Sequence, residues 1–567
     1  MNVWRVNVRE RTGKIEGEPS GWERLGGRGL SARILLDEVP PTCEPLGRFN
    51  KLIFAPGLLT GHMLTSCDRL SIGGKSPLTG GVKESNAGGT TGLQMTALGM
   101  KVLILEDQPA ANGPWQVLHL SAKGVRFDPA DDLAGVGVYE SASRLLGRYG
   151  KKVAIALIGP AGEMRLCAAG VQNLDKDEVP SRIAGRGGLG AVMGAKRLKA
   201  IVFDAGGGNK PALADAAAFR AAQKRLTKNT LEHPQTKTYQ EYGTPAMVKT
   251  CDAFGALPTR NFSSGRFEGA ERISGEYMRE ILLKRGGESE TTHACMPGCV
   301  VQCSNTYGGA DGKALVSPLE YETVGLMGSN LGIDDLDIVA RLNWEANDIG
   351  VDTIDLGAAL GVAAEAGLLK FGDGERAVEL AREIRQGTAL GRMLGSGAAV
   401  TGKLLGVVRV PVVKGQAMAS YEPRGIKGLG TTYATSPQGA DHTAGNTVRA
   451  KVDHLDPKVQ PAASRGAQIN CAGFDSLGIC LFAGFGFSTE PVVVSELLNA
   501  RYGWQVGADI QQVLGKETLK LEREFNRRAG FTPVDDRIPE YMRTEPLPPH
   551  NSVYDVADEE LDKIFDF

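Results

Sequence analysis

The sequence predicts an α+β protein in which a β-rich N-terminal domain precedes two mainly α-helical domains. Three observations carry that prediction. Short apolar runs bounded by glycine and proline fill the first 205 residues, the pattern of strands and turns. From Ala212 the apolar residues recur at helical spacing, the pattern of amphipathic helices. A chain of 567 residues also exceeds what one core fills, so two to four domains are expected.

The elements follow in order. "MNVWRVNVRERTGKIEGEP" alternates around a turn and predicts an N-terminal strand pair. "KLIFAPG", "KVLILED", "KKVAIALIG" and "LKAIVFD" predict further strands, and residues 1–205 are assigned to the β-rich domain. "GGGNKP" at 206–211 reads as a linker. Helices are predicted over "LADAAAFRAAQKRLTKN", "DDLDIVARLNWEANDIG" and "IDLGAALGVAAEAGLL", in a domain spanning 212–412 that also carries a cysteine motif. The last domain, 413–567, is mainly helical. It contains a glycine-rich segment (420–447) read as loop and a helix over "QQVLGKETLKLEREFNRRAG". Its tail, "EPLPPHNSVYDVADEELDKIFDF", reads as a surface extension. No tandem repeat of 20–50 residues is found in the sequence.

Composition narrows the function. With 64 basic and 66 acidic residues the net charge is −2, which gives no electrostatic footprint for nucleic acid. No run approaches the roughly 18 apolar residues that cross a bilayer, so no direct membrane insertion is expected. The N terminus has no apolar signal core and the cysteines cluster, which makes a reduced cytoplasm the simplest compartment. Glycine is the outlier: 75 residues is about 13% of the chain, against a usual share near 7%. Many backbone sites must therefore turn left-handed or approach something bulky.

"THACMPGCVVQCSN" sets Cys295, Cys299 and Cys303 four residues apart. Pro297 and Gly298 argue against a continuous helix and for a loop around an inorganic core. Three close thiolates with a fourth far downstream suit an iron–sulfur cubane better than structural zinc, which usually pairs two short Cys/His motifs. A Cys3His zinc site using His293 and a metal-free cysteine cluster are the competing readings. The candidate fourth ligand is Cys480, in "FDSLGICLFAGFG", with Cys471 as a rival. A short echo accompanies it. "NDIGVDT" (347–353) and "DSLGICL" (475–481) each follow a helical stretch, and each glycine suits a left-handed helix end. Two such turns would present backbone N–H groups and a carboxylate toward a common cavity.

Several segments, in order, resemble the tungsten-dependent aldehyde ferredoxin oxidoreductase family: "SPLTGGVKESNAGG", "AGRGGLGAVMGAKRLKAI", "PLEYETVGLMGSNLGI", "EPRGIKGLGTTYATSPQGADH" and "DSLGICLF". The resemblance covers essentially the whole chain. It implies a pterin-binding β-rich domain and a tungsten, or molybdenum, bis-pterin centre. It also implies one 4Fe–4S cluster and a Mg2+ ion bridging the pterin phosphates. By position, Arg69, Asn86, Gly88, Arg182, Ile183 and Gly185 resemble the family's pterin and phosphate contacts from the β-rich domain. Asn347, Asp352 and Asp475 match its pterin-ring contacts, and Cys295, Cys299, Cys303 and Cys480 its cluster ligands. Glycine suits such contacts because a bare backbone can offer N–H donors to phosphate.

The chain departs from the family at four places. The family commonly leaves two residues between its first two cysteines, where this chain has three. Asn347 stands where the family has aspartate, and Ala444 replaces a lysine. Arg341 and Trp344 occupy positions where some members carry a Glu and a His that bind iron at a dimer interface. A metal-bridged homodimer is therefore not expected, and a dimer through another contact stays open.

Glu322 of "EYET" and His442 of "GADHT" resemble the family's catalytic pair, the carboxylate accepting a proton and the imidazole relaying it. Glu320 is the structural neighbour. The implied reaction oxidises a small-molecule aldehyde to the carboxylic acid, with electrons passing through the cluster to ferredoxin or an iron–sulfur partner subunit. A paralogue reducing an aromatic thioester ring or a carboxylic acid with the same cofactors is the alternative. Cys251, in "CDAFGALPTRNF", is the residue that would approach the metal there. A non-catalytic zinc or cluster scaffold is the reading from another class.

Overall fold

The computed structural model describes residues 1–567. Two six-stranded sheets occupy the N-terminal part. The first contains β1 (Asn2–Asn7), β2 (Thr12–Gly17), β3 (Leu52–Pro56), β4 (Leu70–Lys75), β5 (Val82–Ala87) and β6 (Met100–Glu106), in the order β2-β1-β6-β3-β4-β5. The second contains β7 (Gln116–Ser121), β8 (Gly124–Pro129), β9 (Ala154–Leu157), β10 (Val171–Asn173), β11 (Arg182–Ala184) and β12 (Leu198–Asp204), in the order β11-β10-β9-β12-β7-β8.

Read from its other edge, the second order matches the first strand for strand. The hairpin β1–β2 corresponds to β7–β8, and the parallel pair β1/β6 to β7/β12. The antiparallel run β6-β3-β4-β5 corresponds to β12-β9-β10-β11. The topology is duplicated. A search for short repeats misses it because the unit spans about 100 residues and repeats strand order rather than residue identity.

Burial follows from position in the sheet. "MKVLILE" (β6) and "LKAIVFD" (β12) each have a parallel neighbour and are buried almost throughout, as continuous apolar strands should be. The outer β2 is polar and largely open to solvent, and the outer β8 is mostly half-buried. Phe54 of β3 meets Phe203 of β12 with ring centroids 6.2 Å apart, so both sheets share one core.

Helices form at Ala216–Glu232, Leu336–Ile349, Thr353–Glu365 and Ile510–Ala529, in the stretches whose periodicity predicts them. Asp215 caps the first, accepting from Ala217 and Ala218 N–H at 2.9 Å each. Asp352 caps the third, accepting from Ile354 N–H at 3.1 Å and Asp355 N–H at 3.3 Å. Such a cap is worth about 1 kcal/mol. No single helix is long and apolar enough to cross a membrane.

Two expectations need correction. The glycine-rich segment read as loop contains a fully buried helix, Lys427–Thr435. Its glycines are poor helix formers, but they admit close neighbours, and packing overrides propensity: a Cβ on Gly430 would lie 2.5 Å from the Tyr554 ring. The C-terminal tail is not a surface extension. Tyr554, Leu561 and Ile564 are buried, and Tyr554 Oη shares a 3.0 Å hydrogen bond with Thr431 Oγ1.

The helical part meets the duplicated sheets at two equivalent points. Helix Leu336–Ile349 ends at Gly350 (φ +85°) and helix Gln460–Leu477 at Gly478 (φ +80°), both left-handed. Gly159, just beyond β9, would place a Cβ 2.2 Å from Ile349 O. Gly57, just beyond the corresponding β3, would place one 2.0 Å from Gly478 N. The sequence echo is the imprint of this pseudo-symmetry: each sheet receives one helix end, and the residues after the glycines face the space between.

Candidate active site

That space holds two adjoining chambers of about 330 and 300 Å3. They share Arg69, Asn86, Glu322, His442 and Cys480 on their common wall. The 300 Å3 chamber collects Gly88, Arg182, Ile183 and Gly185 from the sheets, with Asn347 and Asp352 from the first helix end. Asp475, from the second helix end, lines the 330 Å3 chamber. All nine candidate cofactor contacts therefore face this connected space.

Their local bonding leaves donors to spare. Arg69 Nε donates to Asn86 Oδ1 across β4 and β5. Arg182 donates through Nη1 to Ser304 Oγ at 3.0 Å, while its buried Nε and Nη2 have no hydrogen-bond partner and Nη2 lies 3.8 Å from Asp175 Oδ2. A Cβ on Gly88 would stand 3.2 Å from Cys295 Sγ, so glycine keeps that wall open. Asn347 Nδ2 donates to Tyr139 Oη at 3.4 Å. Burial and the Glu84 carboxylate push Asp475 well above the usual carboxylate range, although Arg28 Nη1 lies 3.2 Å away. Buried unpaired guanidinium donors beside a glycine-lined wall suit a large anionic, hydrogen-bonding guest.

The cysteine loop is irregular from Ala294 to Gln302, as Pro297 and Gly298 require. Cys295, Cys303 and Cys480 line the 300 Å3 chamber. Cys299 packs with Cys295 and Cys303 and accepts from Ser66 Oγ at 3.2 Å. Burial raises the Cys303 and Cys480 thiols, each also feeling Cys299 nearby. Hydrogen bonds from Cys295 and Ser66 bring Cys299 down to about 6. Cys471 instead faces the other chamber beside Asp475. His293 is turned away from the cysteines. Its Nδ1 lies 3.0 Å from Glu290 Oε2 and its Nε2 3.3 Å from Asp175 Oδ2, so both ring nitrogens are engaged by carboxylates and the Cys3His zinc reading loses its histidine.

Glu322 sits in the first turn of helix Tyr321–Met327. Its Oε2 accepts from Ser420 N–H at 2.8 Å, and its Oε1 stands 3.3 Å from His442 Nε2. His442 opens a short helical turn capped by Asp441, whose Oδ1 accepts from Thr443 N–H at 2.9 Å. The opposite nitrogen, Nδ1, is buried without a hydrogen-bond partner. Glu320, two residues before Glu322, accepts from Ser304 Oγ at 2.8 Å and from Thr244 Oγ1, a structural role. Cys251 lies behind Tyr321, its thiol against the phenol and pushed up to about 12 by burial, and it lines neither chamber.

Sequence reasoning missed the groups that brace the pair. Lys83 Nζ lies 2.6 Å from Asp441 Oδ2, both side chains buried. Against the pull of burial, Lys83 and Arg186 hold Asp441 far below the usual carboxylate range. Arg186 Nη1 donates to Ala440 O at 3.0 Å, and its Nε lies 3.3 Å from Asp352 Oδ2, tying both helical regions to the sheets. Its signal lay in "AGRGGLG", where the glycines drew the attention. Tyr421, 5.9 Å from the His442 ring, and Arg449 of the larger chamber carried no sequence signal. Arg341 pairs with Glu375 at 2.6 Å and Trp344 stacks on Tyr139 at 5.8 Å.

Comparison with known proteins agrees along the whole chain. A family model described as aldehyde ferredoxin oxidoreductase, N-terminal domain, matches residues 3–205, and one described as domains 2 and 3 of the same enzyme matches residues 221–566. The tungsten-containing aldehyde ferredoxin oxidoreductase of Pyrococcus horikoshii is 32% identical, covering 96% of this chain and 92% of its own. The aliphatic sulfonate oxidoreductase, WOR-like subunit, of Pyrococcus furiosus is 26% identical over 92% of this chain and 85% of its own. The active-site complex BamBC of benzoyl coenzyme A reductase shares the fold, with a TM-score of 0.81, 19% identity, and coverage of 100% of this chain and 93% of that one.

Proposed function

Because the chain belongs to the aldehyde ferredoxin oxidoreductase family of oxidoreductases, we propose that it oxidises aldehydes to carboxylic acids at a tungsten bis-pterin centre. Electrons would leave through one 4Fe–4S cluster to a ferredoxin or an iron–sulfur partner subunit. The observation that carries this reading is the Glu322–His442 pair, 3.3 Å apart on the wall common to both chambers. Relatives that act on other substrates share the fold, so the fold alone does not choose the reaction.

The residues present fit the cofactors. The Nε and Nη2 of Arg182, neither of them hydrogen-bonded, are with Arg69 cationic donors for pterin phosphates. Asn86, Gly88, Ile183 and Gly185 shape the wall, and Asn347, Asp352 and Asp475 offer polar groups to pterin rings. Cys295, Cys299, Cys303 and Cys480 supply the soft donor set that an iron–sulfur cluster takes. When bound, the metal centre and cluster supply a two-electron acceptor and a one-electron relay.

The chain's own residues handle the protons. Overall, RCHO + H2O gives RCOOH, two protons and two electrons. Glu322 Oε2 is fixed by Ser420 N–H, which aims Oε1 at His442 and the chamber. There Oε1 accepts a proton from water or the aldehyde hydrate, and His442 Nε2 shares it. His442 Nδ1 lies 3.8 Å from Asp441 Oδ1, a carboxylate that stabilises the imidazole when it carries the proton. Tyr421 and Tyr321, ring centroids 5.2 Å apart, close the site on the apolar side and limit water.

Elemental analysis of anaerobically purified protein, with an aldehyde-dependent dye assay, tests the reading. About four irons and one tungsten per chain with aldehyde-dependent reduction are expected. Zinc without pterin, or loaded enzyme inert toward every aldehyde, would overturn it.

A further inference from the structure

The larger chamber contains a cation that the proposed chemistry does not use. Arg449 is exposed yet lines the same 330 Å3 space as Glu322 and His442. Its guanidinium carbon sits 4.9 Å from the centre of the Tyr239 ring and 5.3 Å from that of Phe485. Its hydrogen-bond partners are Gln235 Oε1, Tyr239 Oη and Met247 Sδ. All three are neutral. The other cationic side chains near the cofactor wall are accounted for: Arg186 faces Asp352 and Asp355, Lys83 faces Asp441, and Arg69 and Arg182 are the donors assigned above to pterin phosphates. Arg449 is thus a clamped, uncompensated positive charge at the edge of an aromatic pocket.

We propose that Arg449 is a specificity-determining residue, selecting aldehydes that carry a carboxylate remote from the reacting carbonyl, joined through an apolar or aromatic spacer. This deepens the aldehyde reading and rests on it for the reaction, though not for binding. The orientation follows from charge. Glu320 and Glu322 stand on the reacting side and repel an anion there, whereas Arg449 attracts one at the far side. The rings of Tyr239, Tyr421 and Phe482 provide apolar surface for the spacer. Stacking and hydrogen bonds already fix the guanidinium, so little side-chain entropy is lost when a carboxylate meets its planar fork.

The test compares 4-formylbenzoate with 4-methylbenzaldehyde, which differ in the remote carboxylate, on the loaded enzyme and on Arg449→Gln. Wild type is expected to favour 4-formylbenzoate in kcat/KM, and Arg449→Gln to lower that preference about tenfold, mostly through KM. Arg449→Lys, which keeps the charge, should recover part of it. Isothermal titration of the two aldehydes without an electron acceptor should give the same ranking in Kd. An unchanged preference in Arg449→Gln overturns the inference. So does a loss of tungsten or pterin from the variant, or an effect confined to the KM of the electron carrier. A loaded enzyme that binds 4-formylbenzoate through Arg449 but oxidises neither compound overturns the aldehyde reading and sustains the role of Arg449.

Discussion

His442 Nε2 faces Glu322 Oε1 at 3.3 Å, and each side chain is aimed by a neighbour: Ser420 N–H fixes the carboxylate, and Asp441 caps the turn that starts at the imidazole. The pair is therefore held before any substrate enters. Glu322→Gln keeps the shape and the contact with Ser420 but removes the proton acceptor. Loss of a positioned general base costs roughly 10²–10⁴ in rate. Aldehyde-dependent dye reduction should fall by that order while iron and tungsten contents stay at wild-type levels. Activity within twofold of wild type would remove Glu322 from its assigned role.

Cys480 and Cys471 lie on either side of Asp475 in sequence and both reach the 330 Å3 chamber, yet only Cys480 also lines the 300 Å3 chamber where Cys295 and Cys303 sit. Cys480 joins Cys295 and Cys303 on one wall, with its backbone N–H donating to Ser66 O at 2.8 Å. Cys480→Ser should therefore lower bound iron and bleach the cluster's visible absorption. Cys471→Ser should leave both unchanged. Equal iron in both variants, measured after anaerobic purification, would return the fourth ligand to an open question.

Much of this was legible in the sequence, for identifiable reasons. Strands such as "LKAIVFD" and helices such as Ile510–Ala529 announce themselves because local periodicity matches tertiary burial. The cysteine loop was readable because proline and glycine forbid a helix there. Legibility fails where packing decides. Helix Lys427–Thr435 contains two glycines and three threonines, all weak helix formers, in "KGLGTTYAT", and it exists because neighbours enclose it. Lys83 and Asp441 are brought together only by the fold, and neither sits in a pattern that spacing reveals. The tail looked like an extension because its apolar residues are sparse, but Tyr554, Leu561 and Ile564 are each buried.

The ion pair of Lys83 and Asp441 is closed at 2.6 Å with both side chains shielded from water. Removing one member leaves the other charge buried and unpaired, typically at a cost of about 3–5 kcal/mol. Lys83→Met should lower the thermal midpoint and, by loosening the cap on His442, reduce kcat more than it raises KM. Lys83→Met with Asp441→Leu removes both charges and should recover much of the stability but not the activity. If the double variant were as unstable as the single one, the cost would lie in packing rather than charge.

Asp68 gives a pH dependence separate from catalysis. Its carboxyl is buried, with Oδ1 accepting from Gly61 N–H at 2.6 Å and Oδ2 without a partner. Burial raises it from 3.8 to about 7, with Gly61 N–H and Arg501 only partly offsetting the effect. A raised folded-state value favours the protonated form, so this stabilisation is fully present below pH 4 and is lost as pH rises toward and through 7. At about 1.4 kcal/mol per tenfold change in ionisation, the ionised carboxylate costs the fold on the order of 4 kcal/mol at pH 8. Asp68→Asn keeps an acceptor for Gly61 and cannot ionise. Its thermal midpoint should exceed that of wild type at pH 8, and the gap should narrow by more than half as pH is lowered to 5. A gap of equal size at both values would assign the effect to the amide's hydrogen bonding, not to the charge.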